Sequence, residues 1–247
     1  IKAKKSLGQN FLIDKNILEK IVSIVPIEGK TVLEVGPGKG NLTSYILKKK
    51  PKNFIVIEKD NELVNYLNGI FNNQIKIIND DILNIDEKIL PRELPNSYVE
   101  RMSIEKNRVF QQEYSQSIIL TADTVVSVGR RILPKTMDAY TAEKCLKLIS
   151  GRRHKVFTSF TLHSPNNSLK TKTIQSIIKF KRLHPDEISY YLATKEWEGK
   201  AGGYAIQGIA AIFINFISGS YSNVVGLPLA ELYRALISIG YNFNDDK

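Results

Sequence analysis

One cysteine, Cys145, is all the sequence contains, which excludes an internal disulfide and fits a reducing compartment. It falls in a helical pattern with Ala142, Leu146 and Ile149, where it packs rather than reacts. Long apolar runs are also missing. None approaches the roughly 18 residues that would cross a bilayer, and the basic start (Lys2, Lys4, Lys5) leads into no apolar segment. The expectation is a cytoplasmic chain without a membrane partner. Histidine is scarce, and the spacing of His154, His163 and His184 fits no metal-ligand pattern. Acidic residues are outnumbered 25 to 35 by Lys and Arg, giving a formal charge of +10. That balance favours a polyanionic partner, either nucleotide phosphates or RNA. The lysines are scattered apart from Lys48-Lys49-Lys50 and the start, so charge alone does not choose between them.

What the chain does have begins as alternating strands and helices. Asp14 is a candidate N-cap for a helix carrying Ile17, Leu18, Ile21 and Ile24, closed by Gly29. Thr31–Val35 reads as a strand running into Gly36-Pro37-Gly38-Lys39-Gly40, and Asn41 opens a second helix. A strand over Phe54–Ile57 ends on Glu58. A helix with Leu63, Leu67 and Ile70 follows, and Ile75–Ile78 leads to Asp80-Asp81. This is a βαβαβ pattern with a glycine loop after its first strand and an acid closing the second. That arrangement lets backbone approach a ligand and a carboxylate reach a ribose.

With Gln9-Asn10-Phe11-Leu12 upstream, residues 1–86 resemble the start of an rRNA adenine dimethyltransferase. The resemblance implies an S-adenosylmethionine site: Gln9, Asn10 and Leu12 in the entry segment, Gly36 and Gly38 under the methionine part, Glu58 on the ribose and Asp81 on the adenine. It stops there. The family's Asn-Leu-Pro-Tyr signature, which holds the target adenine, occurs nowhere in the chain.

The second half is organised around Ser117–Val126, SIILTADTVV, a β-branched run read as a buried strand with Asp123 and Thr124 where it ends. A helix over Ser97–Arg108 precedes it, after a junction punctuated by Pro91 and Pro95. Arg130–Lys135 reads as a turn with three cations, and Ala139–Ser150 as a helix closed by Gly151. Lys155–Leu162 and Leu169–Leu183 form a strand pair. Pro185 opens a helix, Ile209–Ile217 reads as a strand, and Leu229–Ile239 as a final helix.

Asp123, Lys135 and Lys200-Ala201-Gly202-Gly203-Tyr204-Ala205-Ile206-Gln207-Gly208 together make residues 87–247 resemble the Maf family of nucleoside triphosphate pyrophosphatases. The resemblance implies hydrolysis of dTTP- or UTP-like nucleotides, non-standard ones included, to monophosphate and pyrophosphate. Asp123 would be the general base, and Glu87 and Asp123 would serve a divalent metal, Mg²⁺ or Mn²⁺. Lys135 and Lys200 would neutralise phosphates, with Thr124 and Gln207 reading the base. The strand and Ser-x-Arg-Arg loop that open that family have no counterpart ahead of Glu87, where the dimethyltransferase-like segment stands instead. Two genes fused in frame, weak triphosphate binding and a raised KM are the corresponding expectations, with Ile75–Ile78 standing beside the Asp123 strand in a shared sheet. The expected fold is therefore α/β: a Rossmann-like βαβαβ fragment followed by a Maf-like α/β domain with a mixed twisted sheet. Two alternatives stay open: an S-adenosylmethionine-dependent rRNA adenine dimethyltransferase, and an inactive fusion that only binds nucleotide or RNA. Assembly also stays open, with a homodimer as its candidate form.

Overall fold

A computed structural model describes residues 15–24, 26–79, 85–166 and 168–241. Its contacts divide the chain into two compact units, residues 1–84 with 241–247 and residues 85–240. Gln9, Asn10, Leu12, Asp14 and Asp81 lie outside the described residues.

In the first unit, α1 (Lys15–Ile24), β1 (Thr31–Val35), α2 (Asn41–Lys48), β2 (Asn53–Glu58), α3 (Asn61–Phe71) and β3 (Lys76–Asn79) alternate as the apolar pattern predicts. The strands form one parallel sheet in the order β1-β2-β3. Each β-α-β step needs a crossover helix, and those helices cover the apolar strands. Val22, Ile46, Phe54, Val56, Leu67, Phe71 and Ile75 make the core. Asp60 caps α3 by accepting from the Glu62 amide at 2.9 Å. Tyr241 also belongs here, its hydroxyl donating to Pro26 O at 2.7 Å.

The second unit opens with α4 (Pro95–Glu113), its Pro95 at a position where the missing N–H has no helical partner to lose. Then come β4 (Ile119–Val128), β5 (Arg131–Leu133), α5 (Ala139–Ile149), β6 (Arg153–His163), β7 (Leu169–Phe180), α6 (Pro185–Thr194), β8 (Ile214–Ser218), α7 (Tyr221–Val225) and α8 (Leu229–Ser238). The strands form one sheet in the order β5-β4-β6-β7-β8. Packed against one face is α4, through Tyr98, Val99 and Met102 on Val125 and Phe157. Against the other lie α5 and α6, through Ala142, Cys145, Leu146, Ile149, Ile188 and Tyr191 on Val126, Val156, Ile178 and Phe180. The middle strand β6 is buried without interruption from Val156 to His163. His154, also buried, bonds the Tyr204 hydroxyl at 2.8 Å, and burial pushes its imidazole down to about 4. Among the described residues no helix is long and apolar enough to cross a membrane.

The α/β class holds, with four differences of detail. Every pairing in the second sheet is antiparallel, not mixed, because β4–β5 and β6–β7 are hairpins and α5 brings β6 back against β4. Among the described residues the expected shared sheet is not formed: β3 pairs with β2, which a single local crossover brings alongside. Arg131–Leu133 is a short strand rather than a turn, because Val126, Ser127 and Val128 offer it a register. Finally, Ile209–Phe213 is a 3₁₀ helix and only Ile214–Ser218 is strand, since Ala211 N already bonds back to Gly208 O at 3.0 Å.

Candidate active site

Asp123 sits in the middle of β4, opposite Ser159 of β6, and not at the strand end its sequence context suggests. The strand runs on to Val128 because β5 pairs with its last three residues. At 5% exposure the Asp123 carboxylate must find charged partners in the protein. Strand alternation turns it towards α4, where Lys106 Nζ meets its Oδ1 at 2.7 Å. Lys135 Nζ reaches the same oxygen at 3.4 Å from the segment after β5.

Lys106 is shared. Its Nζ also lies 3.2 Å from Glu87 Oε1, so one ammonium joins two carboxylates that are 36 residues apart in sequence. Burial alone would lower the Lys106 pKa, but Asp123 and then Glu87 outweigh it and hold the group above its ordinary value. Tyr98, one of the buried residues of α4, donates its hydroxyl to Glu87 O at 2.9 Å. Its phenol is pushed up by burial, then by the charges of Asp123 and Glu87. Sequence reasoning missed Lys106. The signal was its register: Val99, Met102, Ser103, Lys106 and Phe110 share one helical stripe, and a lysine on a buried stripe needs an acid to face.

The glycine-rich segment is fastened beside Lys135. Gly199 N donates to Thr136 O at 2.8 Å, Gly202 N to Pro134 O at 3.2 Å, and Lys135 and Ala201 form an isolated bridge. Gly202 has φ 69°, and a Cβ there would stand 2.8 Å from Val126 Cβ, so both backbone conformation and close approach require glycine. Lys200 on this segment is half-buried; desolvation pulls its pKa down, opposed by Glu196. Gln207 is half-buried too, with an Nε2 that is fully enclosed and has no hydrogen-bond partner.

Lys106 thus joins Glu87 to Asp123, Lys135 meets Asp123 directly, and Lys200 is tethered next to Lys135 by backbone. Thr124 is placed differently. It turns to the opposite face of the sheet, where its hydroxyl meets Thr158 Oγ1 at 2.8 Å and Thr158 in turn donates to Asn223 O. No group of three or more His, Cys, Asp or Glu that could hold a metal occurs among the described residues. In the first unit Gly36 and Gly38 take positive φ, as a glycine loop should. Glu58, however, accepts from Gly38 N at 3.2 Å through Oε2 and from Asp60 N at 2.9 Å through Oε1, and is 5% exposed. As placed, it braces the loop from both of its oxygens.

The Maf-like protein family profile matches residues 65–239, starting upstream of Asp86, where the motifs alone place its beginning. A nucleoside triphosphate pyrophosphatase of Orientia tsutsugamushi is 46% identical over 175 residues, covering 68% of this chain and 85% of that protein. A dTTP/UTP pyrophosphatase of a Wolbachia from Drosophila simulans is 49% identical over 161 residues, covering 65% of this chain and 81% of that protein. Among solved structures, the 23S rRNA methyltransferase ErmE superposes with a TM-score of 0.31 at 16% identity, over 76% of this chain and 78% of that one, too loosely to carry an argument. A profile spanning most of the sequence, and relatives nearly half identical along most of their own length, settle one question: this chain belongs to the Maf-like protein family.

Proposed function

We propose that the chain hydrolyses nucleoside triphosphates to the monophosphate and pyrophosphate, with dTTP and UTP as its substrate class. The observation that carries this reading is a buried Asp123 held by two lysines on different elements, with Glu87 on the far side of one of them. Two relatives of this family carry the names nucleoside triphosphate pyrophosphatase and dTTP/UTP pyrophosphatase.

The reaction joins a water oxygen to the α-phosphorus and breaks the bond from that phosphorus to the α–β bridging oxygen. Asp123 takes the proton of the attacking water. Lys135, with a side chain 40% exposed, and Lys200 meet the charge that builds on the departing pyrophosphate. Lys106 offsets the two carboxylates, so that Asp123 and Glu87 stand close without repelling each other. Gln207, whose Nε2 has no partner within the protein, would turn that amide to the base edge. A pyrimidine carbonyl would satisfy that donor, which otherwise stays buried and unpaired. Residues 87–240 provide all of these groups. A cytoplasmic nucleotide pool is the setting that the single thiol fits.

The donor set also suits Mg²⁺ or Mn²⁺. Both lysines approach Asp123 through Oδ1, and Lys106 meets Glu87 through Oε1, which leaves an oxygen on each carboxylate for a metal. Two carboxylates completed by substrate phosphates and water are a normal Mg²⁺ environment. Such an ion would polarise the phosphate oxygens.

Methyl transfer has no comparable support. Glu58 is closed over its own loop, and no residue of the chain reproduces the adenine-holding signature. The test is pyrophosphate release from dTTP, UTP and ATP with added Mg²⁺, by the chain and by Asp123→Asn. Release from the pyrimidine nucleotides, falling about 10²-fold or more in a folded Asn variant, is the expected outcome for a general base. Equal turnover by the two proteins overturns the assignment.

A further inference from the structure

We infer that Glu196 is a positioning residue for base selection, clamping the loop that carries Gln207. The inference rests on the reading above, in which Gln207 faces the base, and adds the group that fixes it there.

Gln207 is bracketed by two anchors from one helix and the residues that follow it. Before it, Ala205 N donates to the Tyr191 hydroxyl at 3.1 Å, and Tyr191 is fully buried in α6. After it, Ile209 N donates to Glu196 Oε2 at 2.7 Å. Glu196 itself is delivered by a rigid segment. Its own N–H donates to Thr194 Oγ1 at 3.2 Å, Thr194 donates on to Tyr191 O at 2.7 Å, and the neighbouring Trp197 is 3% exposed with Nε1 on Leu192 O. Between the anchors the backbone turns once, Gly208 N meeting Ala205 O at 3.1 Å.

Gly208 records how closely the carboxylate approaches. Its φ of −112° suits any residue, so conformation does not demand glycine. Space does: a Cβ there would lie 2.0 Å from Glu196 Oε2 and 2.7 Å from Cδ. The side chain that excludes a methyl group at 208 is therefore the one that bonds the amide at 209. A carboxylate set tightly against both residues following Gln207 restricts where its amide can point. Charge-assisted hydrogen bonds to backbone N–H are among the stronger ones available.

A double-mutant cycle tests this, read as the ratio of kcat/KM for UTP over ATP. Gln207→Ala and Glu196→Ala should each lower the ratio about tenfold, and the double variant should fall no lower than Gln207→Ala alone, since residues acting through one contact do not add. Glu196→Gln keeps an oxygen for Ile209 N–H and should restore the ratio to within about twofold. Gly208→Ala displaces the carboxylate without removing it, so it should mimic Glu196→Ala and have no further effect on that background. This variant serves if Glu196→Ala does not fold. A normal ratio in Gly208→Ala or Glu196→Ala, with Gln207→Ala lowered, overturns the clamp and leaves the role of Gln207 standing. A normal ratio in Gln207→Ala, or no pyrophosphate from any nucleotide, overturns both.

Discussion

Lys106 Nζ lies 2.7 Å from Asp123 Oδ1 in a side-chain environment only 12% exposed for the lysine and 4% for the aspartate. Removing Lys106 leaves the buried Asp123 with only the longer 3.4 Å contact to Lys135, and Glu87 without the ammonium it shares. Lys106→Met should therefore lower unfolding free energy by about 3 kcal/mol, the range for breaking a buried ion pair. Lys106→Met with Asp123→Asn should lose less than the two single variants combined. Urea titration of the four proteins measures both.

Gly202 makes a second expectation about the same site. An alanine there meets Val126 while forced to a positive φ, so Gly202→Ala should destabilise by about 1–3 kcal/mol. The bond from Gly202 N to Pro134 O would shift with it, moving the backbone next to Lys135. Thermal melting checks the first effect; a rise in KM for dTTP checks the second.

In the first unit, Glu34 is a buried carboxyl whose pKa is raised to about 7, by burial first, with Thr43 donating to it in opposition and Glu58 adding repulsion. Because the folded pKa lies above the unfolded one, the protonated native form holds a proton that the unfolded chain has already lost between about pH 4.5 and 7. Its stabilising contribution is complete below that window and is lost as pH rises through it. Glu34→Gln should accordingly melt close to the parent at pH 4.5 and above it at pH 8. A gap that stays constant across the range would contradict the coupling.

Glu58 yields the fourth expectation. Its two oxygens take the amides of Gly38 and Asp60, so Glu58→Ala leaves two buried donors without an acceptor and should cost about 2 kcal/mol or more.

Much of this architecture was readable where one physical signal dominated. β1 is Thr31–Val35 in sequence and structure alike, because a β-branched run between Gly29 and Gly36 admits little else. The α5 helix was equally clear, its start fixed by Asp138 accepting from Tyr140 N and Thr141 N and its end by Gly151 at φ 69°. Legibility failed where partners decide. Ile209–Phe213 is as apolar as a strand, but an acceptor at Glu196 and a turn at Gly208 wind it into 3₁₀ form. Asp123 and Thr124 look like a pair in sequence, yet adjacency along a strand sends them to opposite faces. Lys106 resembles any solvated lysine until α4 is laid on the sheet. Asp123 and Lys135 stood out in sequence; the ammonium between the acids did not.

The unbroken burial of β6 has a consequence for how the second unit opens. The amides of a central strand, paired on both edges and covered on both faces, are released to solvent only when the whole unit comes apart. Deuterium uptake from Val156 to His163 should therefore be the slowest of that unit. Its rate reads the global unfolding equilibrium in plain buffer, while β5 and β8 at the edges exchange through smaller, local openings.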